Sequence, residues 1–171
     1  MWQEFHSVEH CGRLSGLILQ GALLAHEISM LIDAAFNDLT GKIIGAAIEV
    51  HRHLGPGLLE SSYLDCLHQE LAAQQLRFDR QRTVPLVYKG VPLTSAYRID
   101  LVVEDLIVVE AKSVERLLSV HEAQVLTYLR IANRPAGLLI NFNVAKLLDG
   151  LKRIINPRYT GPNGVPPVPE A

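Results

Sequence analysis

Cysteine, surplus positive charge and unbroken apolar runs are all scarce in this chain. Its 171 residues hold two cysteines, Cys11 and Cys66, which form no Cys-x-x-Cys pair and no disulfide framework. A reduced, cytoplasmic setting is the expectation. The net charge of -2 with neutral histidines argues against a strongly basic nucleic-acid binder, whose affinity comes largely from phosphate contacts. It leaves room for an enzyme that grips a few phosphates and uses a metal. The most apolar stretch, Leu14 to Ile32, is interrupted by Ser15, Gly16, Gln20, Gly21, His26 and Glu27, too broken for a membrane span. It also lacks the basic lead of a signal peptide, since Glu4 and Glu9 offset Arg13. No internal repeat is visible. What is present, at 49% hydrophobic residues, suffices for a real core, and the length suits one domain.

The stretch from Tyr97 to Lys112 organises the rest. It reads as two strands joined by a turn at Glu104-Asp105. The second strand, Leu106 to Ala111, is almost wholly apolar and β-branched, the pattern of a strand buried on both faces. Yet Glu110 and Lys112 stand at its end, and Asp100 lies on the neighbouring strand. A carboxylate at the end of a buried strand costs several kcal/mol unless it is paired or binds a metal. Two carboxylates and a lysine at a core edge make a small hard-cation site with a proton-handling amine beside it. Parity raises a difficulty. A two-residue turn at Glu104-Asp105 pairs Ile99 with Glu110 and turns Asp100 away. Convergence needs an odd-length turn or a bulge.

Taken in order, residues 1–36 form an extension of open status, an amphipathic accessory helix or an upstream addition with the true start at Met30. Asn37 or Thr40 is the expected cap of a first helix running to His53, with Ile43, Ile44, Ala47, Val50, His51 and Leu54 on its apolar side. Gly55-Pro56-Gly57 ends it. His51 reads as a hydrogen-bonded core residue or as a substrate contact. A second helix spans Leu58 to Gln75, with Glu60 in its first turn but pointing to the apolar side. There Glu60 either complements the helix dipole or reaches the Asp100/Glu110 pair. Tyr63 lines the same cleft or simply packs, and Cys66 is a small core residue. Arg77 to Tyr88 is a strand on which Arg80 and Arg82 share a face, as solvated charges or as phosphate contacts. Lys89-Gly90 turns the chain. A helix over Ser119 to Asn133 carries His121, Gln124 and Tyr128 on one face, as a site wall or as boundary residues. Gly137 to Phe142 is a buried strand, so residues 106–142 form a βαβ unit with a parallel pair. Lys146 to Ile155 is a short strand or helix, and the Pro- and Gly-rich end from Pro157 is an expected disordered tail.

Asp100 followed by Glu110-Ala111-Lys112 resembles the D…(D/E)-x-K signature of the PD-(D/E)XK nuclease superfamily. Gly57-Leu58-Leu59-Glu60-Ser61-Ser62-Tyr63 resembles the motif that names the small bacterial GxxExxY proteins of that superfamily, and Gln124 with Tyr128 completes a Q-x-x-x-Y. The resemblance covers about Leu39 to Asn156. Ile99 departs from it, standing where the superfamily's name has a proline. The resemblance implies an α/β fold, a single domain over 37–156 with a mixed central sheet flanked by helices, restriction-endonuclease-like. It implies Asp100, Glu110 and Glu60 as ligands of Mg²⁺ or Mn²⁺, and Lys112 and Gln124 as further catalytic residues. Tyr128, His121, His51, Arg80 and Arg82 are the expected substrate contacts. The expected activity is metal-dependent hydrolysis of phosphodiester bonds, in DNA before RNA, by a cytoplasmic protein without a membrane partner and with a homodimer as a candidate assembly. The competing reading is a non-catalytic module that keeps the fold and binds a partner or itself, favoured by the near-neutral charge and opposed by three intact buried charges.

Overall fold

The computed structural model describes residues 34–161. The expectations for residues 1–33, including an accessory helix and a start at Met30, lie outside the described residues, as does the tail from residue 162. The chain divides into two compact units, 1–41 and 42–171. Within the first, residues 34–41 are helical. Thr40 does not open the helix: its hydroxyl donates back to the carbonyls of Phe36 and Asn37, each at 3.1 Å, along a helix already under way before Asn37. The expected boundary at 36/37 therefore falls inside a helix, α1 (residues 34–54).

In the second unit, α1 buries Ile43, Ala46, Ala47 and Val50, a 3–4 residue stripe. Leu54, expected on that stripe, is exposed. Gly55 stops the helix at φ 64°, the left-handed conformation that only glycine adopts without cost, and its N–H reaches the His51 carbonyl at 2.8 Å. Helix α2 (Glu60–Ala73) buries Tyr63, Leu67, His68 and Leu71 at helical spacing. Cys66 is half-buried beside that stripe rather than in the core.

Among the described residues, five strands form one sheet in the order β1-β2-β3-β4-β5. They are β1 (Phe78–Tyr88), β2 (Val91–Val103), β3 (Ile107–Lys112), β4 (Ala136–Asn141) and β5 (Leu151–Ile155). The first two make a long antiparallel hairpin closed at Lys89-Gly90, where both residues have positive φ. β2 and β3 are antiparallel, β3 and β4 parallel, and β4 and β5 antiparallel. Helix α3 (Ser119–Ile131) makes the crossover between the parallel strands, as the βαβ pattern implies. The last segment holds both of its expected forms, a 3₁₀ turn over Leu147–Gly150 and then β5.

β3 is buried at every position but Lys112, and β4 at every position. Such strands need cover on both faces. α3 supplies one cover, packing Val125, Tyr128 and Leu129 on Val102, Val108 and Leu139. α2 packs against β3 as well. Gly137 sets how closely α3 approaches: a Cβ there would lie 2.8 Å from Val125 Cγ1 and 3.1 Å from the Val108 carbonyl. The start of the expected tail is tied down, since Asn133 Nδ2 donates to the Gly161 carbonyl at 3.0 Å and the Arg158 N–H to Asn156 Oδ1 at 3.0 Å.

Candidate functional site

The parity difficulty is resolved by the turn. β2 and β3 pair Val103 with Ile107, Val102 with Val108 and Leu101 with Val109. Three residues, Glu104, Asp105 and Leu106, therefore lie between the strands, an odd number. Glu104 (φ 50°) and Asp105 (φ 54°) both take the left-handed conformation, and the Leu106 N–H closes the turn on the Val103 carbonyl at 3.0 Å. One step beyond Leu101 and Val109, the same register sets Asp100 opposite Glu110. Regular pairing stops there, and the Ala111 N–H donates instead to Asp100 Oδ2 at 3.3 Å.

Glu110 is 2% exposed. Lys112 Nζ donates to its Oε1 at 2.5 Å, while its Oε2 is buried with no hydrogen-bond partner among the described residues. Burial, with the Asp100 charge beside it, pushes the Glu110 carboxyl up to about 7. Burial raises Asp100 too, against the opposing pull of the Ala111 N–H and Lys112. Burial alone would lower the Lys112 ammonium. The bond to Glu110 and the charges of Glu110, Glu60 and Asp100 outweigh it, so its pKa is raised. The expected proton-handling amine is thus held as a cation and donor.

Glu60 opens α2. Burial raises its carboxyl, Asp100 adds to this, and Lys112 and a backbone hydrogen bond from Ser113 oppose it. Its field thus reaches the strand residues. Tyr63, one turn later, is fully buried and stacks on Phe142 with ring centroids 4.5 Å apart. Its hydroxyl donates to the Gly55 carbonyl at 2.6 Å and accepts from the Leu58 N–H at 3.1 Å. Packing, rather than lining a cleft, is its role, and it fixes the loop that delivers Glu60. On α3, Gln124 Nε2 donates to the Tyr128 hydroxyl at 2.7 Å. Burial raises the Tyr128 phenol, and the charges of Glu110 and Asp100 raise it further, against the Gln124 bond. His121 Nδ1 accepts from the Leu118 N–H at 3.1 Å, which leaves the proton of a neutral ring on Nε2.

Three expected substrate contacts are engaged elsewhere. His51 Nε2 bonds the Val144 carbonyl at 2.8 Å, the satisfied form of a stripe histidine. Arg80 pairs with Asp65, and Arg82 with Asp79 and Asp105. Gln81 between them has φ 46°, so the simple alternation expected of β1 is broken at that point. Ser113 was not foreseen. It directly follows Lys112, its hydroxyl donates to the Leu58 carbonyl at 2.6 Å, and its backbone bonds Glu60, so it ties the α2 start to the end of β3. Asn141, 1% exposed, holds the next residue by accepting from the Val114 N–H at 3.0 Å and donating to its carbonyl at 2.8 Å. The only sequence signal for either is position, Ser113 next to the motif lysine and Asn141 at the end of an apolar strand.

Asp100 and Glu110 suit a hard cation: both are oxygen donors, and Glu110 Oε2 is a buried carboxylate oxygen without another partner. Among the described residues, no three His, Cys, Asp or Glu side chains are grouped to hold an ion. The residues fit an ion such as Mg²⁺ that rests on one or two carboxylates and keeps waters. They do not form a three-carboxylate cage with Glu60. No helix of the described residues is long and apolar enough to cross a membrane. No curated protein and no solved structure matches the chain. A family model of the PD-(D/E)XK nuclease superfamily matches residues 37–154, a span of more than half the chain that takes in Glu60, Asp100, Glu110 and Lys112. The chain belongs to the PD-(D/E)XK nuclease superfamily.

Proposed function

We propose that the protein is a metal-dependent phosphodiester hydrolase of the GxxExxY type, a cytoplasmic bacterial enzyme acting on DNA in preference to RNA. The observation that supports this most is the Asp100/Glu110/Lys112 arrangement: an odd turn sets two carboxylates face to face at a core edge, one with a buried oxygen unpartnered, beside a charged lysine. Asp100 and Glu110 would hold Mg²⁺ or Mn²⁺. Bound there, such an ion supplies Lewis acidity toward a phosphate oxygen. Lys112 offers N–H donors to charge developing on the phosphate and orients the attacking water. Glu110 fixes the ammonium by a direct bond, and Glu60 steadies it by charge. The Gln124–Tyr128 pair presents a protonated phenol beside the carboxylates, a donor to a substrate oxygen, and His121 lines the same side.

The ion pairs that occupy Arg80 and Arg82 favour the second reading, a fold-keeping module that binds a partner protein or self-associates. The unpartnered Glu110 oxygen opposes it, because burying such a group costs stability that a purely structural site gains nothing from. Thermal melting under Mn²⁺ or Mg²⁺ together with cleavage of labelled DNA tests the proposal. The ion should raise the melting temperature of the parent and not of Asp100→Ala. An unchanged melt with no cleavage in any divalent ion would overturn it.

A further inference from the structure

The β1–β2 hairpin runs well past the sheet that it belongs to. β3 pairs with β2 only at Leu101, Val102 and Val103, and β1 is an outer strand. Residues 83–98 therefore form a two-stranded ribbon, with Thr83 opposite Arg98 at its root and Tyr88 opposite Val91 at its tip. The root is anchored beside the carboxylates. Val84 is buried there, and Tyr97 stands edge-on to the Tyr128 ring with centroids 5.9 Å apart. From Val87 to Leu93 every residue is exposed, Tyr88 and Val91 at 60% each. Between Val84 and Tyr88 the ribbon reaches out by about 13 Å. A two-stranded ribbon without cover is marginal in water.

The ribbon's charges are of one sign. Residues 83–98 hold Lys89 and Arg98 and no Asp or Glu, in a chain whose net charge is -2. Arg77, Arg80, Arg82 and Arg134 each pair with a carboxylate, whereas Lys89 and Arg98 have no ion-pair partner among the described residues. Lys89 takes the first turn position at φ 48°, where Asn or Asp is favoured and a lysine is strained. Its ammonium stands 5.4 Å from the centroid of the Tyr88 ring. Pro85 and Pro92, one on each strand, lack the N–H that a further β-strand would need, which argues against edge pairing with a second copy. A cationic ribbon that resists strand addition is complementary to a polyanion. The major groove of B-form DNA, about 12 Å wide and about 8.5 Å deep, admits a two-stranded β-ribbon. That of A-form RNA is too deep and narrow for side chains to read.

We propose that residues 83–98 are an arm that lies in the major groove of duplex DNA, with Lys89 at its tip and Arg98 at its root on backbone phosphates. Arg98 stands two residues before Asp100 on β2, so the arm leads from the groove to the carboxylates. The substrate class is then double-stranded DNA, and this rests on the hydrolase reading above. The test is fluorescence anisotropy of the full-length protein in Ca²⁺ with one labelled sequence as DNA duplex, RNA duplex and single-stranded DNA. The parent should bind the DNA duplex about tenfold tighter than either of the others. Lys89→Asn/Arg98→Gln should lower that affinity about tenfold and reduce the slope of log affinity against log salt by about 2, one for each phosphate contact. This variant should melt no lower than the parent, because asparagine takes the left-handed turn more readily than lysine and neither cation loses a carboxylate. Lys89→Arg/Arg98→Lys should keep both affinity and slope.

Equal binding of the two duplexes by the parent would overturn the arm alone, as would an unchanged affinity and salt slope in Lys89→Asn/Arg98→Gln. So would a parent that cleaves bis(p-nitrophenyl) phosphate in Mn²⁺ yet binds no duplex. A dimer that becomes monomeric in Val87→Ser/Val91→Ser, by light scattering, with duplex affinity unchanged, would make the ribbon a contact between copies. A parent that neither cleaves that diester nor binds any of the three nucleic acids would remove both the arm and the hydrolase reading.

Discussion

The β2–β3 hairpin carries two charge networks, one at its closed end and one at its open end, and they are built on opposite rules. At the turn, Glu104 and Asp105 face Arg77, Arg82 and Arg134. Each turn carboxyl has an arginine of its own there, Arg82 is shared with Asp79, and both turn carboxyls sit below their ordinary range. Backbone and side-chain bonds from Arg77 lower Glu104; at Asp105, Arg82 and Arg134 overcome what burial would do. A few residues away, Glu60, Asp100 and Glu110 share one cation, Lys112, and all three carboxyls are raised, chiefly by burial. The same residue types fold the chain in the first case and are placed against folding in the second. Charges arranged at a cost to the fold are what the proposed hydrolase site requires.

The largest break in this comparison should come from Lys112. Removing its ammonium takes away N–H donors to the developing phosphate charge together with the bond to Glu110, so Lys112→Ala should lower single-turnover cleavage about 10²–10³-fold. The Mn²⁺-induced rise in melting temperature should survive, since both carboxylates remain. Arg77→Ala removes a cation from the turn and should leave cleavage within about twofold, because an exposed pair contributes at most about 1 kcal/mol. Equal cleavage by Lys112→Ala and the parent would end the assignment of Lys112.

The pH response should run in opposite directions at the two ends. A carboxyl that holds its proton more tightly when folded stabilises the fold at low pH and loses that contribution as pH rises through its folded pKa. For Glu110 the loss runs from its ordinary value, 4.5, to about 7. In chelator the melting temperature should therefore fall as pH rises from about 4.5 to about 7, and Glu110→Gln should flatten the fall. Glu104, whose pKa is lowered, stabilises the fold above its ordinary range, and acidification removes that contribution. Glu104→Gln should lose stability at neutral pH and little in acid. Identical pH profiles for parent and Glu110→Gln would show that Glu110 does not titrate in this range.

Repulsion among the site carboxylates gives the next effect. Asp100→Asn should melt at or above the parent in chelator and below it in saturating Mn²⁺, each by a few degrees. Asp100 draws its bond from the Ala111 N–H and its charge partner from Lys112, and no arginine pairs with it among the described residues. A loss that does not depend on metal would mean a salt bridge rather than a site.

The parts legible in the sequence were those carried by local pattern. The apolar run of β3, the helical spacing of α2 and α3 and the glycines after α1 act over a few residues, and each element lies within a few residues of its expected span. The hairpin parity was not legible. Leu106 reads as a strand residue, and nothing in Glu104 announces a left-handed conformation that few non-glycine residues take. The partners of Arg80 and Arg82 lie 15 and 23 residues away, at Asp65 and Asp105. Pairings at that range are set by the fold, so an arginine meant for a carboxylate looks like one meant for phosphate. Tyr63 was undecided because a tyrosine serves equally as wall or as packing. Only the stack on Phe142 and the bond to Gly55 separate the two.

The smallest effect should come from Asp105, where charge and backbone can be separated. Its side chain is 66% exposed while Arg82 is 33% and Arg134 13% exposed, so the two pairs lie at the water boundary and are partly screened by salt. Asn tolerates a positive φ about as well as Asp does, so Asp105→Asn removes the charge and keeps the turn. The expected loss is about 1 kcal/mol, seen as a fall of about 2–4 °C in melting temperature, and 1 M salt should reduce it. Asp105→Val removes the charge too, but a β-branched side chain resists the left-handed conformation, so its loss should be larger and should persist in salt. Neither change should depend on Mn²⁺. A metal-dependent loss at Asp105→Val with none at Asp105→Asn would show that the turn geometry sets the Asp100–Glu110 register. The closed end of the hairpin would then belong to the site, through the odd number of residues between its strands.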